Sequence, residues 1–125
     1  MSEQIQASYE ENGKVTFADD VIAIIAGLAA TEIPGVAGMS GGIVGGIAEM
    51  LGKKNLTKGV KVEVGEKEAA INLYIIVEYG AKIPEVAWNV QENVKKAVET
   101  MTGLQVVEVN IHVQGVNFEK ESKEL

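Results

Sequence analysis

The chain contains no cysteine among its 125 residues, so a disulfide framework and a thiolate zinc site are both excluded. Arginine is also absent, because all 11 basic residues are lysine. The sequence has one histidine, His112, and its only aspartates are the neighbours Asp19 and Asp20. Nucleophilic catalysis needs an activated side chain beside an oriented base, and few residues here could supply that pair.

The formal net charge is −7, which opposes binding to other polyanions. Nucleic-acid binding depends on basic side chains at phosphates, and base readout relies strongly on arginine. The same charge opposes adsorption to an anionic membrane surface. The first twelve residues contain no apolar run, so they do not predict a signal peptide. We therefore expect a cytoplasmic protein with no nucleic-acid partner.

Few charges interrupt the first half of the chain, where Glu32 is the single charged residue between Val21 and Ala48. A membrane-spanning helix needs about 20 continuous apolar residues. Pro34 and Gly35 break this run near its middle, and each remaining piece is too short. The sequence therefore predicts no direct insertion into a membrane.

The length suits one domain. Residues 13–118 carry the patterned sequence and predict that domain, while the polar residues 1–12 and 119–125 predict flexible tails. Periodicity predicts strands at 14–17, 60–64, 71–79 and 107–113, and helices at 19–32, 42–51 and 84–102. We therefore predict an α+β fold in β-α-α-β-β-α-β order. It would be a two-layer sandwich with a three- to four-stranded mixed sheet, its helices mainly on one face and its strand order open.

The first predicted helix has no polar face. Val21, Ile25, Leu28 and Ala29 form its predicted core stripe. A helix that is apolar all round is normally covered on both sides. Its opposite face is small and uncharged, and we interpret that face as a candidate protein interface formed by Ala23, Ala26, Gly27 and Ala30.

The last predicted helix has one apolar stripe, formed by Val86, Val90, Val94, Ala97 and Met101. Trp88 lies roughly 150° from the centre of that stripe, at about 100° per residue. Two interpretations stay open for it. Either the short helix at 42–51 packs over Trp88, or Trp88 is part of a protein interface, where tryptophan is enriched.

The predicted sheet has a polar outer face with two exceptions, Tyr74 and Ile76. Scattered exposed apolar residues are common and need no explanation. A contact role is the alternative, and we include both residues with Trp88 among the candidate interface positions.

Catalytic and ligand-binding motifs fail on spacing. The glycine-rich stretch encloses five residues between Gly46 and Gly52 where a phosphate-binding loop needs four, and no dinucleotide fingerprint is present. Glu108 and His112 lie about 13 Å apart along a strand, too far to bind one metal ion. The carboxylates on the predicted outer face are Glu63, Glu78 and Glu108. They favour a solvated surface over a paired acid and base. We predict no catalytic residue, metal or cofactor, and no enzymatic activity.

Several segments, taken in order, resemble the alkaline shock protein family, also called the envelope stress response family, of Gram-positive bacteria. They are GKVTF at 13–17, EIPGV at 32–36, GVKV at 59–62, VEYGAKIPEVA at 77–87, NVQ at 89–91 and VEVNIHVQGV at 107–116. One departure is Ala18, which stands where the first helix of the family usually has a hydroxyl cap. The resemblance implies a non-enzymatic cytosolic protein that self-associates and is held beneath the cytoplasmic membrane by a small membrane-embedded partner. It carries over no catalytic residue.

Two function classes therefore stand side by side. The first is a scaffolding protein of the envelope stress response, acting as a homo-oligomer that docks to a membrane-anchored partner. The second is a regulatory binding module that recognises a soluble enzyme or a small ligand. The partner, the symmetry of the oligomer and the inducing condition have no signature in the sequence.

Overall fold

A computed structural model describes residues 12–41 and 57–118. In chain order these residues form α1 (Asp19–Thr31), β1 (Val36–Met39), β2 (Val60–Val64), β3 (Glu68–Glu78), α2 (Ile83–Thr102) and β4 (Gln105–Asn117). The fold is α+β, as the periodicity predicted. The predicted helix at 42–51 lies outside the described residues, as do nearly all of the two predicted tails.

The sheet is organised around β3, which pairs with all three of the other strands. Its pairing with β4 is parallel over its whole length, from Glu68 opposite Gln105 to Glu78 opposite Asn117. Both β1 and β2 are antiparallel to β3 and pair with different parts of it. Because β4 occupies one edge of β3 throughout, β1 and β2 share the other edge, end to end. The sheet is therefore mixed and three strands wide.

The shared edge has a break between β1 and β2 at Tyr74. Ser40 N–H donates to the Tyr74 carbonyl at 2.7 Å, and Tyr74 N–H donates to the Gly59 carbonyl at 2.7 Å. Gly59 has φ of 78°, and a Cβ there would lie 2.7 Å from the Ser40 carbonyl oxygen. Only glycine fits this position without strain. The chain thus leaves the edge at Ser40 and returns to it at Gly59, and both residues bond to the backbone of Tyr74.

Both helices cover one face of the sheet. The inward side chains of β3 alternate and are fully buried: Ile71, Leu73, Ile75 and Val77. α1 lies against β1 and β2, and α2 lies against β4 and against α1. α2 ends at Gly103, whose φ of 79° is the left-handed conformation that commonly terminates a helix.

The predicted strand at 14–17 is wrong, and an unpredicted strand, β1, takes a place in the sheet. Residues 13–18 have no regular structure, and Phe17 is partly buried against the core. Both edges of β3 are occupied by other strands, so residues 14–17 have no place beside the central strand. β1 contains only four residues with a bulge, and its pairing with β3, not its own pattern, makes it a strand.

The predicted orientation of α1 is only partly right, since Ile25 and Ala29 of its core stripe are buried as predicted. Ala23, Ala26, Gly27 and Ala30 are buried, so these four residues do not form an interface with another protein. Val21 and Leu28 of the predicted core stripe are instead 44% and 46% exposed. The physical reason is that α1 lies against both the sheet and α2, where small side chains let helix backbones approach closely.

The stripe of α2 follows a single row of side chains spaced four apart. Val86, Val90, Val94 and Val98 are buried, whereas Met101 is 68% exposed, which contradicts its predicted core position. Rows spaced four apart are inclined to the helix axis by about 26°. The contact with the sheet follows this incline, so Val98 replaces Met101 at the end of the helix. Ala97 is partly buried against the core, as predicted.

The side chain of Asn93 in α2 forms hydrogen bonds to α1 and to the residue that follows it. Its Nδ2 donates to the carbonyl of Ala29 at 2.8 Å and to Oε1 of Glu32 at 3.1 Å. Replacing Asn93 with alanine leaves the Ala29 carbonyl without this donor at the last turn of α1. We expect Asn93→Ala to lower the free energy of unfolding by about 1 kcal/mol. Urea denaturation would measure it, with the exposed neighbour Glu92→Ala as the control; equal losses would contradict this role for Asn93.

Candidate functional site

The outer face of the sheet is the surface that neither helix covers. The alternation of β3 directs Asn72, Tyr74 and Ile76 away from the buried core, and all three are half-buried. The strand register then places the neighbouring side chains in rows across the sheet. Lys61 pairs with Asn72, and His112 pairs with Tyr74. We call this surface the outer sheet face.

An aromatic stack occupies the centre of the outer sheet face. The Tyr74 and His112 rings are 4.4 Å apart between centroids and nearly parallel, at 13°. His112 Nε2 lies 3.1 Å from Oδ1 of Asn72, within hydrogen-bond distance. Because an amide oxygen only accepts, this bond requires the proton to be on Nε2. The Lys61 ammonium lies 5.7 Å from the centre of the Tyr74 ring. Such contacts fix the Tyr74 ring as a rigid, partly apolar platform.

Ile76 lies next to the stack in a row that otherwise lacks side chains. Its cross-strand neighbours are Gly38 in β1 and Gly115 in β4. A Cβ at Gly115 would lie 3.1 Å from Cδ1 of Ile76, so the isoleucine lies over the glycine backbone. Tyr74 and Ile76 therefore form an apolar strip, because glycine places no polar side chain on either side of Ile76.

Carboxylates lie at both ends of the outer sheet face. Glu63 and Glu108 both pair with Ala70, one from each neighbouring strand, and both are exposed. Oε1 of Glu78, at the other end of β3, is buried and has no hydrogen-bond partner among residues 12–41 and 57–118. Glu63 and Glu108 thus lie at one end of the face, on either side of β3, and Glu78 lies at the other end.

The candidate interface residues have three different fates. Tyr74 and Ile76 lie together on the outer sheet face, as the alternation predicted. Trp88 lies on α2, whose helix covers the opposite face of the sheet, and its side chain is 61% exposed. The helix that would pack over Trp88 lies outside the described residues, so an interface role for this side chain stays a prediction. The four small residues of α1 are buried.

The sequence alone does not predict that the Tyr74 and His112 rings stack. His112 and Tyr74 are 38 positions apart along the chain, and their pairing depends on the parallel register of β3 with β4. A bulge at Val107 shifts that register by one residue, so Val106 is buried while Val107 is exposed. Alternation alone places Val107 in the core and therefore gives the wrong face at the start of β4. No local signal in the sequence marks this bulge.

The described residues contain no group of three or more His, Asp or Glu side chains that could hold a metal ion. His112 has an amide and a phenol ring as its partners, whereas a catalytic base is usually oriented by a carboxylate. Among the described helices, none combines the length and hydropathy that crossing a membrane requires.

The chain is similar to a family of bacterial proteins over most of its length. Residues 7–118 match the model of the alkaline shock/Gls24 family, which is described as having a cell envelope-related function. The chain is 43% identical over 113 residues to the uncharacterized protein YqhY of Bacillus subtilis (strain 168), covering 90% of this chain and 84% of YqhY. It is 34% identical over 110 residues to a stress response regulator gls24 homolog of Streptococcus pyogenes serotype M3, covering 87% of this chain and 62% of that protein.

Solved structures give a more distant similarity. A MamM CTD carrying C267S superposes with a TM-score of 0.44 at 14% sequence identity, covering 77% of this chain and 91% of that one.

Proposed function

Because this chain belongs to the alkaline shock/Gls24 family, we propose that it is a non-enzymatic scaffolding protein of the cell-envelope stress response. In this proposal it self-associates in the cytoplasm and docks to a small membrane-embedded partner at the inner surface of the cytoplasmic membrane. The family match confirms the resemblance to the alkaline shock proteins, and its description is an envelope-related function. Scaffolding, self-association and docking are the parts that we propose.

The observation that carries the proposal is the outer sheet face, which neither described helix covers, with its apolar strip. Tyr74 and Ile76 are adjacent on that face, and the stack with His112 holds the tyrosine in one orientation. Rigid tyrosines lose little conformational entropy on binding, which makes them effective interface residues. Lys61, Asn72 and His112 supply polar groups near Tyr74, as the rim of a protein interface requires. A partner with a small apolar contact surface would fit this arrangement.

The geometry supports binding better than chemistry. Neither described helix covers the outer sheet face; Glu63 and Glu108 lie at one end of it, Glu78 lies at the other, and the imidazole lies between the two ends. Catalysis by such groups needs mutual hydrogen-bond contact and exclusion of water. Docking needs neither, because it draws on apolar area and a polar rim that are both present.

We expect Tyr74→Glu to abolish docking, because the substitution places a carboxylate at the centre of the apolar strip. The assay is co-purification of membrane proteins with the tagged protein after gentle solubilisation of membranes. Recovery of the partner should fall at least about tenfold, which corresponds to a loss of roughly 1.4 kcal/mol. Tyr79→Glu is the matched control, because this exposed tyrosine follows the end of β3 and lies outside the strip.

Circular dichroism of both variants separates lost docking from lost folding. Equal recovery of the membrane partner with Tyr74→Glu and with the unmodified protein would contradict the proposal, provided that the variant is folded.

A regulatory binding module is the second candidate, and the name of one relative favours it. That relative is called a stress response regulator, and the chain covers 62% of its length. In this candidate the outer sheet face would bind a soluble enzyme or a small ligand. The same co-purification distinguishes the two functions, because recovery of one soluble enzyme and no membrane protein would support the regulatory module.

A further inference from the structure

The outer sheet face carries more negative than positive charge. The alternation of β3 directs Glu68 and Glu78 outward at the two ends of that strand. Glu63 and Glu108 lie on the same face in the neighbouring strands, where both pair with an outward residue of β3. Lys61 is the one lysine in the four strands that the structure describes. Four carboxylates therefore share this face with a single ammonium group.

These carboxylates are not neutralised by lysines of the described chain. Among residues 12–41 and 57–118, no lysine forms an ion pair with any of the four. Oε2 of Glu108 accepts a hydrogen bond from the Asn110 amide at 3.3 Å, and Oε1 of Glu78 is buried without a partner in the same residues. Like charges on one surface repel each other, so a cation supplied from outside would stabilise this face.

The end of the face where β3 begins contains a shallow recess, which we call the acidic recess. Its volume is about 340 Å³, and its lining includes Glu63, Glu68, Ala70 and Val107. Glu63 and Glu108 pair with Ala70 from opposite sides, and two strands that flank a third are about 10 Å apart. Because alanine fills little of the space between them, one cationic group above Ala70 can reach carboxylates on both sides.

The acidic recess suits the side chain of lysine or arginine. Both side chains have an apolar stem and a charged head, so they cover apolar surface while the charge stays near water. Ala70 and Val107 can contact the stem while the carboxylates bind the head. Exposed ion pairs contribute little singly, so stable binding also needs the apolar strip. Tyr74 lies four residues from Ala70 along β3, which is about 13 Å.

We propose that the outer sheet face binds a basic segment of a membrane protein. The segment would place Lys or Arg in the acidic recess and an apolar side chain, about 13 Å away, on Tyr74 and Ile76. The inference rests on the docking proposed above and gives the chemistry of the partner. Cytoplasmic segments close to membrane-spanning helices carry an excess of Lys and Arg. The same carboxylates repel an anionic lipid surface and the equally acidic outer sheet face of a second copy.

Glu63→Lys tests the recess, with Glu92→Lys as the matched control. Both substitutions replace an exposed glutamate and change the net charge equally, but Glu92 lies on α2, which covers the opposite face of the sheet. In the membrane co-purification assay, Glu63→Lys should lower recovery of the partner about tenfold, because it replaces attraction with repulsion. Glu63→Gln should lower it about two- to fivefold, and Glu92→Lys should leave it unchanged. Equal losses for the two lysine variants would show that net charge alone acts and would overturn the proposal.

A defined probe tests the same contact without membranes. The probe is a synthetic peptide with two lysines and, four residues further on, a leucine; its counterpart has glutamates in place of the lysines. Titration followed by NMR should shift the backbone amide signals of Ala70, Tyr74 and Val107 with the lysine peptide, and less so as salt is raised. Shifts confined to other residues, or equal shifts with the glutamate peptide, would overturn the proposal.

The outcomes keep this inference distinct from the proposed function. If Tyr74→Glu abolishes recovery of the membrane partner and Glu63→Lys does not, docking on the outer sheet face stands and the basic partner is overturned. If neither variant lowers recovery, although circular dichroism shows both to be folded, docking on this face is overturned as well. If Glu63→Lys changes self-association in sedimentation and leaves recovery of the membrane partner intact, the face binds a second copy instead.

Discussion

Ala26→Glu is expected to lower the free energy of unfolding by about 3 to 5 kcal/mol, because the new carboxylate would be buried without a partner. Ala26 is fully buried in α1 and belongs to the core cluster. The site has neither the space for a glutamate side chain nor a described hydrogen-bond donor for its carboxylate. Since domains of this size are stable by only about 5 to 15 kcal/mol, this loss would remove a large share of the stability.

Leu28→Glu is the matched control for Ala26→Glu. Leu28 lies on the same helix two positions away, but its side chain is half exposed, so a carboxylate there stays in water. We expect a loss of less than about 1 kcal/mol. Thermal unfolding followed by circular dichroism measures both. If Ala26→Glu folds normally and instead loses self-association, α1 presents its small residues to a partner and the packing described here is wrong.

Ile75→Ala and Ile76→Ala should have opposite consequences although the residues are adjacent. Ile75 is fully buried beneath the helices, and its truncation should cost about 2 to 5 kcal/mol of stability by creating a cavity. Ile76 lies on the outer sheet face, so its truncation should cost about 1 kcal/mol or less and weaken binding of the membrane partner.

Urea denaturation and the membrane co-purification assay together test this pair. Ile75→Ala should shift the denaturation midpoint while its folded fraction still recovers the partner. Ile76→Ala should leave the denaturation midpoint nearly unchanged and lower the recovery of the partner. Equal losses of stability for the two variants would show that the outer sheet face is covered by the protein itself, which contradicts its assignment as a docking surface.

Local pattern was sufficient for the centre of the sheet and for both described helices. The strict alternation from Ile71 to Val77 predicted the buried face of β3 and placed Tyr74 and Ile76 on the other side. Pro34 and Gly103 marked the ends of α1 and α2. These features succeed because a strand with period two and a helix with period 3.6 each commit one face to the core, whatever surrounds them.

Local pattern failed where neighbours decide the outcome. α1 is apolar all round, so its hydropathy gives no preferred face, and only contact with α2 and the sheet buries Ala26 and Ala30. The last turn of α2 likewise follows the incline of its contact with the sheet, which buries Val98 and not Met101.

The sequence by itself determined the α+β class, the family and the scarcity of catalytic groups, because composition and periodicity are properties of the chain alone. The tertiary structure decided which face of α1 is buried, which rings stack on the outer sheet face, and which half of β4 is bonded by side chains of α2. Each of these depends on register and helix packing, which join residues that are distant in sequence. The stack of Tyr74 on His112 and the hydrogen bond from Val106 N–H to Glu99 exist only once α2 returns the chain to the edge of β3.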